Sequence, residues 1–361
     1  RRKITVTTFK KEQVNEWGQE NTSFTESHSS GKIRLTDQPT FNSHRSGWNY
    51  AIHSLSKLHN EEGISFYGFL ENEFSWFKKG NIEKGVIPIR KEWIGFFHNP
   101  QSPPWWFSPN TCPLTMLQSE EFIESLETCR GLFALSEYHA DFLREMTRKP
   151  VEVLYHPTEI PEVQFDFDSF YENKEKRLVN IGYWLRKVNS IYSLPITDDL
   201  YIKTRLLPYK KDSQPANFVK ELREKEFKYE YSSIEEIRRW YREPFVNIDE
   251  MYNISNEEYD QLFSKNIIYL DMYDSSANNA VIECIARATP LLVNPIPAIV
   301  EYLGPAYPFY FESFDEAVDK LMNIELVYYT HEYLKSCPAR EKMRGDQFLA
   351  DFQETEIYKN L

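Results

Sequence analysis

Apolar and polar positions along this chain fall into blocks that keep switching between two periods. Trp93 to Phe97 (WIGFF), Gly131 to Leu135 (GLFAL), Val151 to Tyr155 (VEVLY) and Arg177 to Gly182 (RLVNIG) are apolar runs of strand length. A turn bearing Gly, Pro or small polar residues follows each of them. Gly63 to Leu70 (GISFYGFL) reads the same way and ends at Glu71. Between the runs, apolar residues recur at helical spacing, as in Ala51, Ile52, Leu55 and Leu58 after Gly47-Trp48, and in Glu120 to Cys129. Ser136 is placed to N-cap the helix that follows GLFAL, with Glu137 in its first turn. Strands alternating with helices predict an α/β fold built on parallel sheets.

The pattern is densest from Asn266 to Gly304. Asn266 to Leu270 reads as a buried strand, Ala280 to Ala288 as a helix, Pro290 to Val293 as the next strand and Ala298 to Leu303 as another helix. The turn Ser275-Ser276-Ala277-Asn278-Asn279 therefore follows the carboxyl end of a strand and opens a helix, which is where wound sheets bind ligands. Backbone N–H groups at a helix start have no intrahelical partner and favour an anion such as a diphosphate. Glu283 lies about one turn further on, on the same face as Asn279.

Taken in order, residues 1–158 read as one wound unit and 176–340 as a second. Between them, 159–175 is an acidic, aromatic stretch without periodicity that reads as a linker. Residues 341–361 read as a helical tail expected to pack back on the first unit. Ile4 to Thr8 is a further strand candidate, and 10–44 a long polar loop. Tyr201 to Leu207 and Phe245 to Ile248 read as strands of the second unit, 210–241 as a charged surface helix, and Asn256 to Ser264 and Asp315 to Met322 as helices.

Composition narrows the partners. The 361 residues are 41% hydrophobic, enough for real cores, and include 25 Phe, 23 Tyr and 8 Trp. Such an aromatic excess fits sugar-handling surfaces, although core packing accounts for most of the rings. A net charge of −13 argues against a nucleic-acid or anionic-membrane partner. Four dispersed cysteines form no CxxC pair and no metal spacing, which points to a reducing compartment, with the cytoplasm as the expected location. No run of 18 apolar residues predicts a membrane span, and the start, Arg1-Arg2-Lys3, does not read as a signal peptide.

Several local stretches carry a resemblance. They are LFALSEY at Leu132 to Tyr138, VLYHPT at Val153 to Thr158, Asn180-Ile181-Gly182 followed by Arg186-Lys187, the Asp271–Glu283 turn and helix, and VEYLG at Val300 to Gly304. In this order and spacing the chain resembles nucleotide-sugar glycosyltransferases of the GT-B fold, over most of residues 46–325. The resemblance implies two Rossmann-like domains facing a cleft, a nucleotide diphosphate sugar held mainly by the second domain, and a glycan or protein acceptor held by the first. No cofactor or metal is expected. The sequence departs from the large retaining family at Ser275, which stands eight positions before Glu283 where that family carries a first glutamate; Asp274 is the nearest carboxylate. The stereochemistry is left open by this change.

The residues then take expected roles. Charge builds on the leaving diphosphate during transfer, so a metal-free site needs fixed donors there. Arg186 and Lys187 are candidates, together with Ser276, Asn278 and Asn279, whose side chains also suit plain helix capping. Glu283 suits a ribose diol. Tyr252, Asn253 and Ile254 are placed near the base. His98, at a strand end, is a candidate catalytic base, and Glu71 is the runner-up. Gly47, Trp48, Ser275, Trp105 and Glu301 are candidate sugar or acceptor contacts, with core packing an equal reading for Trp48. Competing functions are a sugar-nucleotide epimerase and a non-catalytic sugar-nucleotide or carbohydrate-binding module.

Overall fold

The computed structural model describes residues 19–22, 27–35, 38–41, 47–108, 111–207, 210–231 and 248–361. The strand expected at Ile4 to Thr8 and residues 245–247 of the strand expected at Phe245 to Ile248 lie outside them.

Runs of apolar residues with no polar alternation require a sheet covered on both faces, and the structure has two of these. The first is parallel, in the order β2 (Ile33–Arg34), β4 (Ile64–Tyr67), β5 (Trp93–Phe96), β6 (Cys129–Ala134), β7 (Val151–Val153). The second is also parallel, in the order β10 (Asp249–Tyr252), β9 (Ile202–Leu207), β8 (Arg177–Ile181), β11 (Ile267–Leu270), β12 (Leu291–Val293). A short antiparallel pair, β1 (Gln19–Thr22) with β3 (Gln38–Phe41), stands apart. Every residue of β5 and of β11 is buried. The first sheet runs in chain order from edge to edge. The second reverses direction between β8 and β11, so its topological switch point lies between those two strands.

Aromatic layers cover the sheets. Phe66, Phe96 and Phe133 pack with Trp48 on one face of the first sheet, and Phe74, Trp93, Phe97 and Phe122 on the other. The end of the chain closes the first face. Phe348 and Phe352, on the helix Gly345–Glu354, join Ile357 and Tyr358 in that core. The Glu152 carboxylate accepts from the backbone of Glu356 and Ile357 at 3.0 and 2.7 Å. Gly131 has no side chain because a Cβ there would lie 2.6 Å from Ile357.

Two stretches differ from expectation. The 159–175 segment contains a helix, Phe167–Glu172, capped by Asp166, and Phe165 and Phe170 enter the core of the second sheet. The helix is too short to show a period in sequence. Of the charged 210–241 region, residues 232–241 lie outside the described residues; in the rest, the helix Gln214–Glu230 is more than surface and buries Val219, Leu222 and Glu226. The strand expected at Phe245 to Ile248 is followed in the structure by β10 over Asp249–Tyr252, which places Tyr252 at a strand end.

Candidate functional site

At the switch point, two turns lie side by side. The first follows β8. Gly182 adopts φ 75°, open to glycine, and Leu185 is held at φ 54°, a left-handed conformation that costs a bulky residue energy and persists only where its surroundings fix it. The second turn follows β11 and ends at Asn278, the N-cap of the helix Asn279–Arg287. Lys187 joins them twice: its N–H donates to the Asp271 carbonyl at 2.8 Å and its Nζ lies 2.9 Å from Asp271 Oδ1.

Arg186 is buried within this junction. Its Nε donates to Ile181 O at 3.0 Å, one terminal nitrogen to Trp184 O at 2.7 Å and the other to Asn278 Oδ1 at 3.2 Å. Burial lowers its pKa to about 10, which leaves it charged at neutral pH. Asn278 Oδ1 also accepts from the N–H groups of Ala280 and Val281. The diphosphate role expected of Arg186 and Asn278 is therefore indirect in this conformation. The guanidinium and the amide fix the helix start, while half-exposed Asn279 opens the helix and Lys187 keeps part of its side chain in solvent. Ser275 turns its hydroxyl back to Ala277 O at 2.8 Å. The Ser276 hydroxyl crosses the cleft and donates to the His98 carbonyl.

Glu283 is wholly buried one turn into the helix and accepts from the Tyr259 hydroxyl. Burial, reinforced by Glu283, pushes that phenol well above its ordinary range, so it stays a donor. Tyr259 belongs to the helix Asn256–Ser264, which carries a capping box of Ser255 and Glu258. Just before it lie Tyr252, whose hydroxyl donates to Glu250 at 2.7 Å, Asn253 at φ 47°, and partly buried Ile254. These residues share the carboxyl edge of the second sheet with the Ser275–Asn279 turn. A groove of about 410 Å³ lined by Asn173, Arg177, Glu257, Gln261 and Lys265 lies at the amino ends of β8 and β11, the opposite edge, and holds none of the candidate residues.

On the first domain the structure reassigns three residues. Trp48 is only 3% exposed and meets Phe96, His98 and His156 edge-on at 4.9, 4.4 and 5.3 Å, so it is a core residue and not a sugar platform; Gly47 beside it is buried too. The His98 ring stacks on Phe69 at 3.9 Å and bonds through Nε2 to the Gly68 carbonyl at 2.9 Å, which makes Nε2 the protonated nitrogen. Burial lowers its pKa to about 3, too weak for a base that takes a hydroxyl proton at neutral pH. A neutral His98 can instead accept a hydrogen bond at Nδ1. Glu71 sits at the start of the helical segment after β4, not at a strand end. Its Oε1 accepts from the N–H groups of His98 and Asn99 at 2.7 and 2.6 Å, and Oε2 is buried without a partner. It positions the His98 turn and has no open path to a substrate.

Burial raises the Glu71 pKa from 4.5 to about 7, against the pull of those backbone donors. The folded chain therefore keeps this proton where the unfolded chain has lost it, and the residue costs stability as pH rises from about 4.5 to about 7. Glu71→Gln should leave stability unchanged near pH 4 and raise it by up to about 3 kcal/mol at pH 8. Urea unfolding of both proteins across this range checks it; a difference that does not vary with pH contradicts it.

Sequence reasoning missed the residues that join the domains. The helix Glu137–Thr147 has Ser136 at its N-cap position, but that hydroxyl makes no capping bond. Glu301, from the second domain, caps the helix instead: its two carboxylate oxygens accept from Glu137 N at 2.8 and 2.9 Å. Its expected contact with sugar gives way to this role. Asp274 accepts from Ser102 N at 2.9 Å and from the Tyr138 hydroxyl at 3.3 Å. Tyr302 donates to Leu135 O at 2.7 Å and accepts from His156 N at 3.1 Å. Trp105, at 71% exposed, lies against Tyr229 of the second domain. Among the described residues no group of three His, Cys, Asp or Glu side chains is arranged to hold a metal, and no helix is long and apolar enough to cross a membrane.

No protein-family model and no curated protein sequence matches the chain. Solved structures do resemble it. Trehalose-6-phosphate synthase OtsA is 13% identical, with 84% of this chain and 74% of that one covered and a TM-score of 0.51. A UDP-forming α,α-trehalose-phosphate synthase from Burkholderia xenovorans, solved with glucose-6-phosphate, is 11% identical over 85% and 76%, with a TM-score of 0.53. TarM of S. aureus, solved with Fondaparinux, α-GlcNAc-glycerol and UDP, is 12% identical over 80% of this chain and 54% of that one, with a TM-score of 0.52. At these identities the likeness is one of fold: the chain has the two-sheet α/β architecture of GT-B proteins.

Proposed function

We propose that the chain transfers a sugar from a nucleotide diphosphate sugar to a hydroxyl of a glycan or protein acceptor. The observation that carries this reading is the switch point of the second sheet. There a helix start, Lys187 and the Arg186–Asn278 junction face the His98 turn of the first domain across the Ser276 bridge. Fixed positive charge at a helix N-terminus suits a leaving diphosphate. Glu283, with Tyr259 displaced, suits the ribose diol, and Tyr252 to Ile254 the base. His98 orients a donor or acceptor hydroxyl through Nδ1. The structural relatives include enzymes named for UDP-forming sugar transfer, which fits this assignment. All four cysteines are free, consistent with a reducing compartment such as the cytoplasm.

A thermal-shift panel of uridine, guanosine and other nucleotide diphosphate sugars tests it. A donor at a hundred times its dissociation constant adds about 2.7 kcal/mol to stability, a shift of several degrees. Slow release of free sugar from the same donor should accompany the shift, and no shift with any nucleotide diphosphate removes the donor site.

A second reading has its own observation. Arg186 directs its donors at protein groups, and Glu283 is closed off by Tyr259. A sugar-nucleotide-binding module without turnover would tolerate both. Binding of a donor with no hydrolysis and no transfer to any acceptor favours the module.

A further inference from the structure

A path of aromatic rings leaves the candidate reaction centre and crosses from one domain to the other. It begins at His98, which stacks on Phe69, and Phe69 lies 5.1 Å from Trp76. Trp76 meets Trp184 of the second domain at 6.2 Å, and Trp184 meets Phe107 of the first at 5.2 Å. The path ends at Tyr229, which stacks against Trp106 and meets Trp105 at 4.7 Å.

Core packing accounts for Trp106 and Phe107, which are buried with Leu185, Val188 and Leu222. It does not account for the rings beside them. Trp105 is 71% exposed, Tyr229 41% and Trp76 37%. Large rings left half in water at a domain seam mark a surface that something else covers. A flat ring face is apolar, with a polar rim around it, and so complements the C–H face of a pyranose whose hydroxyls point to its edges.

Charge narrows the occupant. Carboxylates stand along the path: Glu230 accepts from Trp106 Nε1 and Glu226 from the Tyr273 hydroxyl at 2.7 Å. Cations stand there too: Lys228 lies 5.0 Å over the Tyr229 ring, while Lys78 pairs with Glu121 at 2.7 Å and Lys187 with Asp271. Charges of both signs therefore lie along the path, and such a surface suits a ligand without net charge better than an anion or a cation.

We propose that the acceptor is an uncharged oligosaccharide laid along this path, with its reacting end at His98 and its further units on Trp76 and Trp105. The proposal rests on the transferase reading above and adds the class of acceptor and its subsites.

Titration of the full chain with malto-, cello- and chito-oligosaccharides of two to six units, followed by tryptophan fluorescence and calorimetry with UDP present, tests it. Affinity for one series should rise with chain length. Trp105→Ala and Trp76→Ala should each weaken the longest member at least tenfold. Trp105→Ala should also remove the dependence on length while melting within about 1 °C of the parent, since the ring is exposed. Three results overturn the proposal: a chain that binds a nucleotide but no oligosaccharide, tighter binding of glucose 6-phosphate than of any oligosaccharide, or equal affinity in the variants. Failure to bind any nucleotide sugar would instead count against the transferase reading itself.

Discussion

Replacing Arg287 by Ala is expected to lower stability by about 3–5 kcal/mol, a large share of what a domain has. Arg287 closes the helix that starts at Asn278 and is fully buried. Its guanidinium donates to Asp260 at 2.8 Å and lies 5.0 Å from the Phe263 ring. Asp260 is also buried, on the helix Asn256–Ser264, so the ion pair ties together the two helices that carry Glu283 and Tyr259. Removing the cation leaves a carboxylate in the interior without the charge that balanced it, and that desolvation cost dominates the loss. The paired change Asp260→Asn with Arg287→Met should cost much less than Arg287→Ala alone, because neither group then brings an uncompensated charge inside. Urea midpoints of the single and double variants measure both. A loss below about 1 kcal/mol for the single change, or a double variant less stable than the single one, contradicts the assignment.

Much of the architecture was legible because both faces of each sheet are covered. Strands such as β5 and β11 must then be apolar throughout, and runs like WIGFF and IIYL stand out against polar turns. The start of the helix Asn279–Arg287 was legible for a similar reason, since a small polar turn after a buried strand marks where one element ends and the next is capped. What stayed hidden depends on partners distant in sequence. Ser136 is a good local cap, yet the bond at that helix start comes from Glu301, 164 positions from Glu137. A cap supplied by another domain leaves no local spacing to read. Trp48 had equal claims as sugar platform and core residue, and what decided was burial among Phe96, His98 and His156, with Phe348 from the far end of the chain closing the set. Glu71 and His98 were ranked by residue type alone. Their environments reverse that ranking in pKa, raising the carboxylic acid and lowering the imidazole, while burial and the backbone bonds of its Oε1 keep Glu71 from a substrate.

The adjacent Arg186 and Lys187 looked alike in sequence, a basic pair after a strand-ending glycine, but the structure separates them. Lys187 keeps part of its side chain in solvent, and Arg186 is interior, fastened to two carbonyls and to the Asn278 amide. Arg186→Ala is therefore expected to reduce donor hydrolysis and transfer by a factor of about 10²–10³, comparable with removing one preorganised donor from a site where charge develops. The loss should fall mainly on kcat, because a displaced Asn278 lets the helix start drift from the position that the leaving diphosphate takes up. Arg186→Lys should recover less than tenfold of it: an ammonium restores the charge but not the fork that reaches Ile181 O, Trp184 O and Asn278 Oδ1 together. Lys187→Ala, which removes a more exposed cation, should raise KM more than it lowers kcat. Steady-state kinetics of the three variants with the donor found by thermal shift decides the matter. An Arg186→Lys enzyme with near-parental kcat would show that charge alone is needed there and that the geometry of the junction is incidental.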